Sequence, residues 1–307
     1  MPATVRRPVV PTRTGSLGVP PARAATLGPV PAEQIARNLA FINWTLLAGL
    51  AVGAFGAVAL LRLRTEATKG YLGFTALCAA AFGGLAWLSD GALPTAAAAG
   101  SPVTVDPAWD TPRRAVLGLF AAGALVASIA LFRGRRAAPL VVGVAAAGGV
   151  ALLLGALTWG GDAVGTAMLA IQLLALAAAT GGIFAAMILG HWYLVTPKLS
   201  TGPALLMSRA MLAVVAVQLV LFVLWVGLGI GTTQAPLEPL TGPWALFVWL
   251  RLLVSLVFPL IVSWAAVQTV RTRSMESATG LLYINVALIA AGTIDAAGLY
   301  FGAGLLV

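Results

Sequence analysis

Two charged residues stand inside sequence that is otherwise apolar. Arg251 lies within PWALFVWLRLLVSLVFPLIVSWAAV, and Asp295 lies within GLLYINVALIAAGTIDAAGLYF. A lone charge at the centre of a bilayer costs at least about 2.5–3.5 kcal/mol, so each needs a partner or a wet cavity. A short basic turn joins the two segments, which must therefore run antiparallel. Arg251 falls roughly eight residues after position 243, and Asp295 roughly eight before position 303. At about 1.5 Å per residue both lie about 12 Å below the same face. Equal depth on adjacent helices makes them candidate partners in an intramembrane charge pair. Such a pair can gate, relay protons or hold an anionic group. The plainer alternatives are a structural lock between two helices, or an arginine snorkelling to the headgroups. Pro259 sharpens the picture, because proline cannot donate to the carbonyl four residues back, here that of Ser255. Ser255 is one turn from Arg251, so a kinked wall with a free carbonyl is expected just below the arginine. Broken backbone of that kind is tolerated in a membrane where it is buried in protein or lines a cavity.

A second group is His191, Trp192 and Tyr193, in LGHWYLVTPKL, with Arg209 near the start of the next apolar segment. An imidazole can ligate haem iron or donate to a quinone carbonyl, with the two aromatics as walls and Arg209 facing an anionic head. The alternative is an interfacial aromatic cluster in the headgroup belt, followed by a helix stop before Pro197. The chain has one histidine. A quinone fits that supply; a haem needs its second axial ligand from another residue type or another chain.

Amides form a third group: Asn43, Gln172, Gln218, Gln268 and Asn285. In lipid-buried helices such side chains commonly tie helices together, at roughly 0.6 kcal/mol each. Asn43, Gln172, Arg251 and Asp295 map to one half of the membrane; His191, Gln268, Tyr283 and Asn285 map to the other. Gln218 falls near the middle. A translocation route and plain helix packing both accommodate that distribution.

The remaining chemistry is sparse. One cysteine, Cys78, and one histidine leave no cysteine- or histidine-based metal site and no intrachain disulfide. The chain has no phosphate-binding glycine loop, no H-E-x-x-H and no G-x-S-x-G. No catalytic residue is assigned on this basis.

The elements that hold these residues follow from composition. Hydrophobic residues make up 60% of the 307 and charged residues 9%, far below the roughly 25% of a soluble domain. Eight apolar segments run at about 39–61, 70–89, 115–132, 138–158, 164–193, 204–230, 243–269 and 278–303, each long enough to span hydrocarbon. The expected fold is all-α, a polytopic transmembrane bundle of about eight spans arranged as four hairpins over residues 39–307. Residues 1–38, rich in Pro, Ala and Arg, read as a disordered basic tail, or as sequence upstream of a start at Val19 or Val30. Gly49, Gly53 and Gly56 form a small-xxx-small pattern that lets helix backbones approach.

The connections alternate in charge. Arg62, Arg64 and Lys69; Arg133, Arg135 and Arg136; Lys198; and Arg271 and Arg273 fall in the first, third, fifth and seventh. The second, fourth and sixth carry Asp90, Asp106, Asp110, Asp162 and Glu238, with Arg113 and Arg114 the only basic residues on that side apart from the tail. Positive loops stay in the cytoplasm, which places this protein in the cell membrane with both termini outside; the Arg-rich tail runs against this, because it would have to cross, and a tail that stays inside would mean a later start or a miscounted span. The net charge of +9 thus reflects orientation in a bilayer rather than nucleic-acid binding. Trp44, Trp87, Trp109, Trp159, Trp225, Trp244 and Trp249 all fall toward the outer side, which points to a lined cavity there or to chance. The first and last basic loops echo each other, RLRTEATKGYL and RTRSMESATGLL. Duplication explains the echo, and helix-start chemistry explains part of it without ancestry.

Two functional classes remain. One is a membrane subunit or anchor of an electron-transfer complex, binding a quinone or similar hydrophobic cofactor near His191, with partner subunits. The other is a carrier or channel for a small ion or solute that uses Arg251 and Asp295, supported by Ser255, Asn43, Gln172, Gln218 and Asn285.

Overall fold

The computed structural model describes residues 31–96, 101–135, 137–196, 199–229 and 235–307. Most of the expected tail, residues 1–30, lies outside these residues, as do Arg136 and Lys198. Helix α1 (Pro31–Arg37) is followed by α2 (Leu39–Arg64), α3 (Lys69–Asp90), α4 (Asp110–Phe132), α5 (Ala138–Trp159), α6 (Ala163–Val195) and α7 (Gly202–Leu228). Helix α8 (Ala245–Leu252) runs through a π turn (Leu253–Val257) into α9 (Phe258–Arg271), and α10 (Met275–Ala303) ends the bundle. Residues 31–37, expected to belong to the tail, are thus helical. Among the described residues there is no strand, and eight helices are long and apolar enough to cross a membrane, α8 to α9 counting as one.

Local chemistry sets several boundaries. The Asp162 side chain accepts from the Gly165 N–H at 2.7 Å and starts α6; Thr68 does the same for α3 through Tyr71. Gly229 and Gly304, both at positive φ, end α7 and α10. Large side chains such as Leu119, Val220, Ile261 and Trp264 point outward, as lipid-facing surfaces require.

The four hairpins pack into two rings. Helix α2 touches α3, α3 touches α4, α4 touches α5, and α5 returns to α2. Likewise α6 touches α7, α7 touches α9, α9 touches α10, and α10 returns to α6. The rings meet where α2 packs on α6. A Cβ on Gly53 would lie within the Ala177 backbone and 2.9 Å from the Gly181 Cα, and a Cβ on Gly181 would clash with Gly53 and Ala54 in return. Nothing approaches Gly56. The small-residue pattern therefore joins two helices of one chain, α2 and α6.

Candidate intramembrane ligand site

Each ring carries one buried arginine on its third span, toward the end bearing the acidic connections. The two are treated very differently by their surroundings, and that difference locates the site.

In the first ring, Arg113 on α4 is 2% exposed and fully engaged. Its Nε donates to Asp90 Oδ2 at 2.8 Å, and its Nη1 donates to Asp110 and to Thr158 Oγ1 at 2.9 and 2.8 Å. The Trp44 indole N–H donates to the same Asp90 oxygen at 2.8 Å. The guanidinium lies 4.8 Å from the Trp159 ring centroid. Phe41 and Phe301 pack on Trp159, whose carbonyl accepts from the Tyr300 hydroxyl. Charge and donors are satisfied together, so this cluster ties α2, α3, α4, α5 and α10 into one block. Sequence reasoning treated Asp90 and Arg113 as loop-flanking charges. The available signal was their placement at the two ends of one connection, each beside a helix terminus. Two of the outward-skewed tryptophans, Trp44 and Trp159, serve this lock and are fully buried.

In the second ring, Arg251 on α8 is equally buried, at 2% exposure, but less well served. Its Nη2 donates to Gln218 Oε1 on α7 at 2.9 Å, and its Nη1 reaches the Gly292 carbonyl on α10 at 3.4 Å. Its Nε has no partner among the described residues. Gln218 donates in turn to the Ala175 carbonyl on α6 at 2.7 Å, which fixes the orientation of its amide. Gln172 is buried beside this group, and its Oε1 also lacks a partner among the described residues. The void enclosed by Gln172, Gln218, Arg251 and Val307 is about 10 Å³, room for one water.

Asp295 lies on the other flank of the same helix contact. No ion pair within 4.0 Å joins it to Arg251 among the described residues. Its Oδ2 is buried and has no partner among the described residues. Half-buried Asp295 and buried Ser255 supply the polar groups of a groove of about 290 Å³ between α8 and α10. Apolar side chains form the rest of the wall, including Phe247, Leu250 and Val254, and Ile35 reaches it from α1. Exposed Leu250, Leu253 and Ile294 flank the opening, so the groove faces the lipid side of the bundle.

Backbone geometry makes this arrangement. Pro259 removes the N–H that would bond Ser255, and the helix absorbs the loss as a π turn over Leu253–Val257. That turn presses Ser255 onto α10 at Gly292, where an added Cβ would clash with the Ser255 Cβ and lie 3.0 Å from Arg251 Nη1. Arg251 then stands one turn above Ser255, and Asp295 one turn above Gly292 on the antiparallel helix. The two charges thus share a level; the arginine points into the ring and the aspartate borders its outer groove.

The other sequence-singled residues are dispersed. His191 is exposed, with no side-chain hydrogen bond among the described residues. Trp192 packs sideways on Gly70 and Tyr71 of α3. Tyr193 turns inward and donates to the Ser200 carbonyl. Arg209 is exposed on α7. The void beside Tyr193 is about 10 Å³, too small for a cofactor ring. These four residues do not line one cavity. Asn43 is exposed and donates to Ser89, and buried Asn285 donates to Ser263 at 2.8 Å. No group of three or more metal-ligating side chains occurs among the described residues.

No protein-family model matches the chain, and no curated protein matches it.

Proposed function

We propose that this multi-pass protein of the cell membrane binds a hydrophobic cofactor of the quinone class, as a membrane subunit or anchor of an electron-transfer assembly. The supporting observation is the lipid-facing groove of about 290 Å³ in which Asp295 and Ser255 interrupt apolar walls. A ligand dissolved in the bilayer reaches such a groove sideways. Its apolar body meets Phe247 and Leu250, and its polar head meets the carboxylate and hydroxyl. The site proposed from sequence near His191 moves, on this reading, to α8 and α10. The basic connections face the cytoplasm, which puts the groove in the outer half of the membrane.

Photolabelling with an azidoquinone tests the reading. Labelled peptides are expected from 245–257 and 291–299, with labelling suppressed by Ala291→Trp, which fills the groove. Label confined to 190–195 and 205–212 would return the site to His191 and Arg209. Absence of saturable labelling would end the quinone reading.

A second reading is a carrier for a small ion or solute. Supporting it are the buried polar contacts between spans of the second ring: Arg251 with Gln218, Thr180 with Thr293, and Asn285 with Ser263. Flux by the purified protein in liposomes, lost in Arg251→Gln, is its test.

A further inference from the structure

We propose that a zwitterionic phospholipid with a primary-amine head, of the phosphatidylethanolamine class, is bound along the seam between the two rings at the basic end of the bundle. The site is separate from the α8–α10 groove and does not depend on it.

Two voids carry the argument. The first, of about 320 Å³, lies between α2, α5, α6 and α7 and is walled by apolar residues and glycines. The second, of about 450 Å³, lies where α2 ends and α7 begins, and Arg64, Glu66 and Ser200 bring polar groups to it. Leu60 lines both. On α2 the lining runs through Gly53, Ala57, Leu60 and Arg64, spaced by three or four residues and so on one helix face. The lining face of α7 runs just as continuously from Val214 through Met207 to Pro203. The two voids are therefore one groove, an apolar trough with a polar mouth. Packing explains the trough. Helix α6 lies against both α2 and α7 and is drawn tight to α2 where Gly53 meets Ala177 and Gly181. One turn further along α2, Gly56 meets nothing, and the space beside it stays unfilled.

Dimensions select the occupant. From Gly53 to Arg64, α2 rises about 16 Å. One leaflet supplies about 15 Å of hydrocarbon, half of the core thickness. At roughly 30 Å³ per methylene, about the liquid share of one water, the trough takes about ten methylenes. A helix about 10 Å across is too wide for it, so an acyl chain fits where a span of a second copy does not.

Charge selects the head. Arg64 ends α2, and extended Thr65 leads the chain on to Glu66, so a cation and an anion border one mouth. Both are exposed, and no ion pair within 4.0 Å joins them among the described residues. A guanidinium donates to phosphate oxygens, and a carboxylate accepts from an ammonium. A phosphoethanolamine head carries both complements on neighbouring groups. A choline head keeps the positive charge but has no N–H to donate. A phosphoglycerol head has no cation for Glu66 and sets a second negative charge beside it.

The test is native mass spectrometry of the full-length protein, delipidated in detergent and titrated with ethanolamine, choline and glycerol phospholipids of identical chains. The ethanolamine lipid is expected to bind about fivefold tighter than either of the others, the upper end for one exposed charge contact. Glu66→Ala is expected to bring the ethanolamine and choline lipids within about twofold of each other, and Arg64→Gln to weaken all three about fivefold. Gly56→Phe fills the open trough and is expected to weaken all three about tenfold; Ala145→Leu fills it from α5 and replaces that variant if it does not fold. Equal binding of the three heads, or tightest binding of the glycerol lipid, overturns the proposal. An ethanolamine preference retained in Glu66→Ala overturns it as well. Affinities unchanged by filling the trough would show that the chain does not lie there and would end it too.

Discussion

Arg251 Nη2 donates to Gln218 Oε1 at 2.9 Å, so the buried guanidinium of the second ring is held by a carboxamide. A neutral acceptor orients the charge without cancelling it, and the positive field remains available to the groove. Gln218→Leu removes the shorter of the two hydrogen bonds and leaves a buried cation with one long bond to Gly292. The expected loss is about 1.5–3 kcal/mol of stability, the value of a hydrogen bond to a charged group. Denaturant titration of the protein in mixed micelles checks it. An unchanged midpoint would mean that water reaches Arg251.

Gly292 is predicted to be intolerant of any side chain because the π turn seats Ser255 on it. Gly292→Ala is expected to cost about 1–3 kcal/mol, the usual penalty of overpacking. Ser255→Gly in the same chain should recover part of the loss, since it removes the atoms that the new methyl meets. The measurement is a double-mutant cycle on stability. Strict additivity would show that the two positions do not touch.

Much of this fold was legible because a bilayer imposes one rule on every span. Twenty apolar residues between polar connections can be little else, and the helix number and hairpin order follow. The level of Arg251 and Asp295 was legible too, since antiparallel neighbours convert residue counts into depth. The direction of each side chain was not. Whether an arginine at a given depth points into a ring or toward lipid depends on the neighbouring helices, and only packing sets that. The same blindness hid the Arg113 lock. Asp90 and Arg113 flank one connection, but Thr158 and Trp44 lie on two further helices, with nothing in their local sequence to mark the meeting. His191 misled in the opposite way: a rare residue draws attention by type, yet it faces outward. Gly49, Gly53 and Gly56 announced a close helix contact without naming the partner.

That contact makes a graded prediction. Gly53→Ala forces α2 away from α6 at its tightest point, whereas a methyl at Gly56 enters open space. Gly53→Ala is expected to lower stability by about 1–3 kcal/mol and Gly56→Ala by no more than about 0.5 kcal/mol. Equal effects would argue that the two rings separate without cost.

The Arg113 cluster is predicted to be the main polar support of the first ring. Removing one partner of a buried ion pair costs about 3–5 kcal/mol because the other charge is stranded. Arg113→Ala should therefore be far more damaging than Arg37→Ala, whose pair with Glu33 is exposed on both sides and worth at most about 1 kcal/mol. Asp90→Asn combined with Arg113→Met removes both charges and should recover part of the loss. Ligand affinity at the α8–α10 groove is the discriminating readout, since Arg113 and Arg251 share no hydrogen-bond partner. Arg113→Met should leave it within about twofold in protein that remains folded, because none of the partners of Arg113 borders the groove.

Sidedness gives the last prediction, and it bears on how a ligand arrives. In a Cys78→Ser background, Thr95→Cys and Thr241→Cys place single thiols on exposed positions at the acidic end of the bundle, and Glu66→Cys and Thr272→Cys at the basic end. If the basic connections are cytoplasmic, a membrane-impermeant maleimide labels the first pair in intact cells and the second pair only after lysis. The opposite pattern would move Arg251, Asp295 and the groove into the inner half of the membrane. On the proposed reading, a redox partner of a cofactor held in the groove would then have to dock from the cytoplasm. Ile35 of α1 packs near Gly298 toward the acidic end, so residues 31–37 and the acidic connections share one side of the bundle, and the same labelling assigns the side of α1.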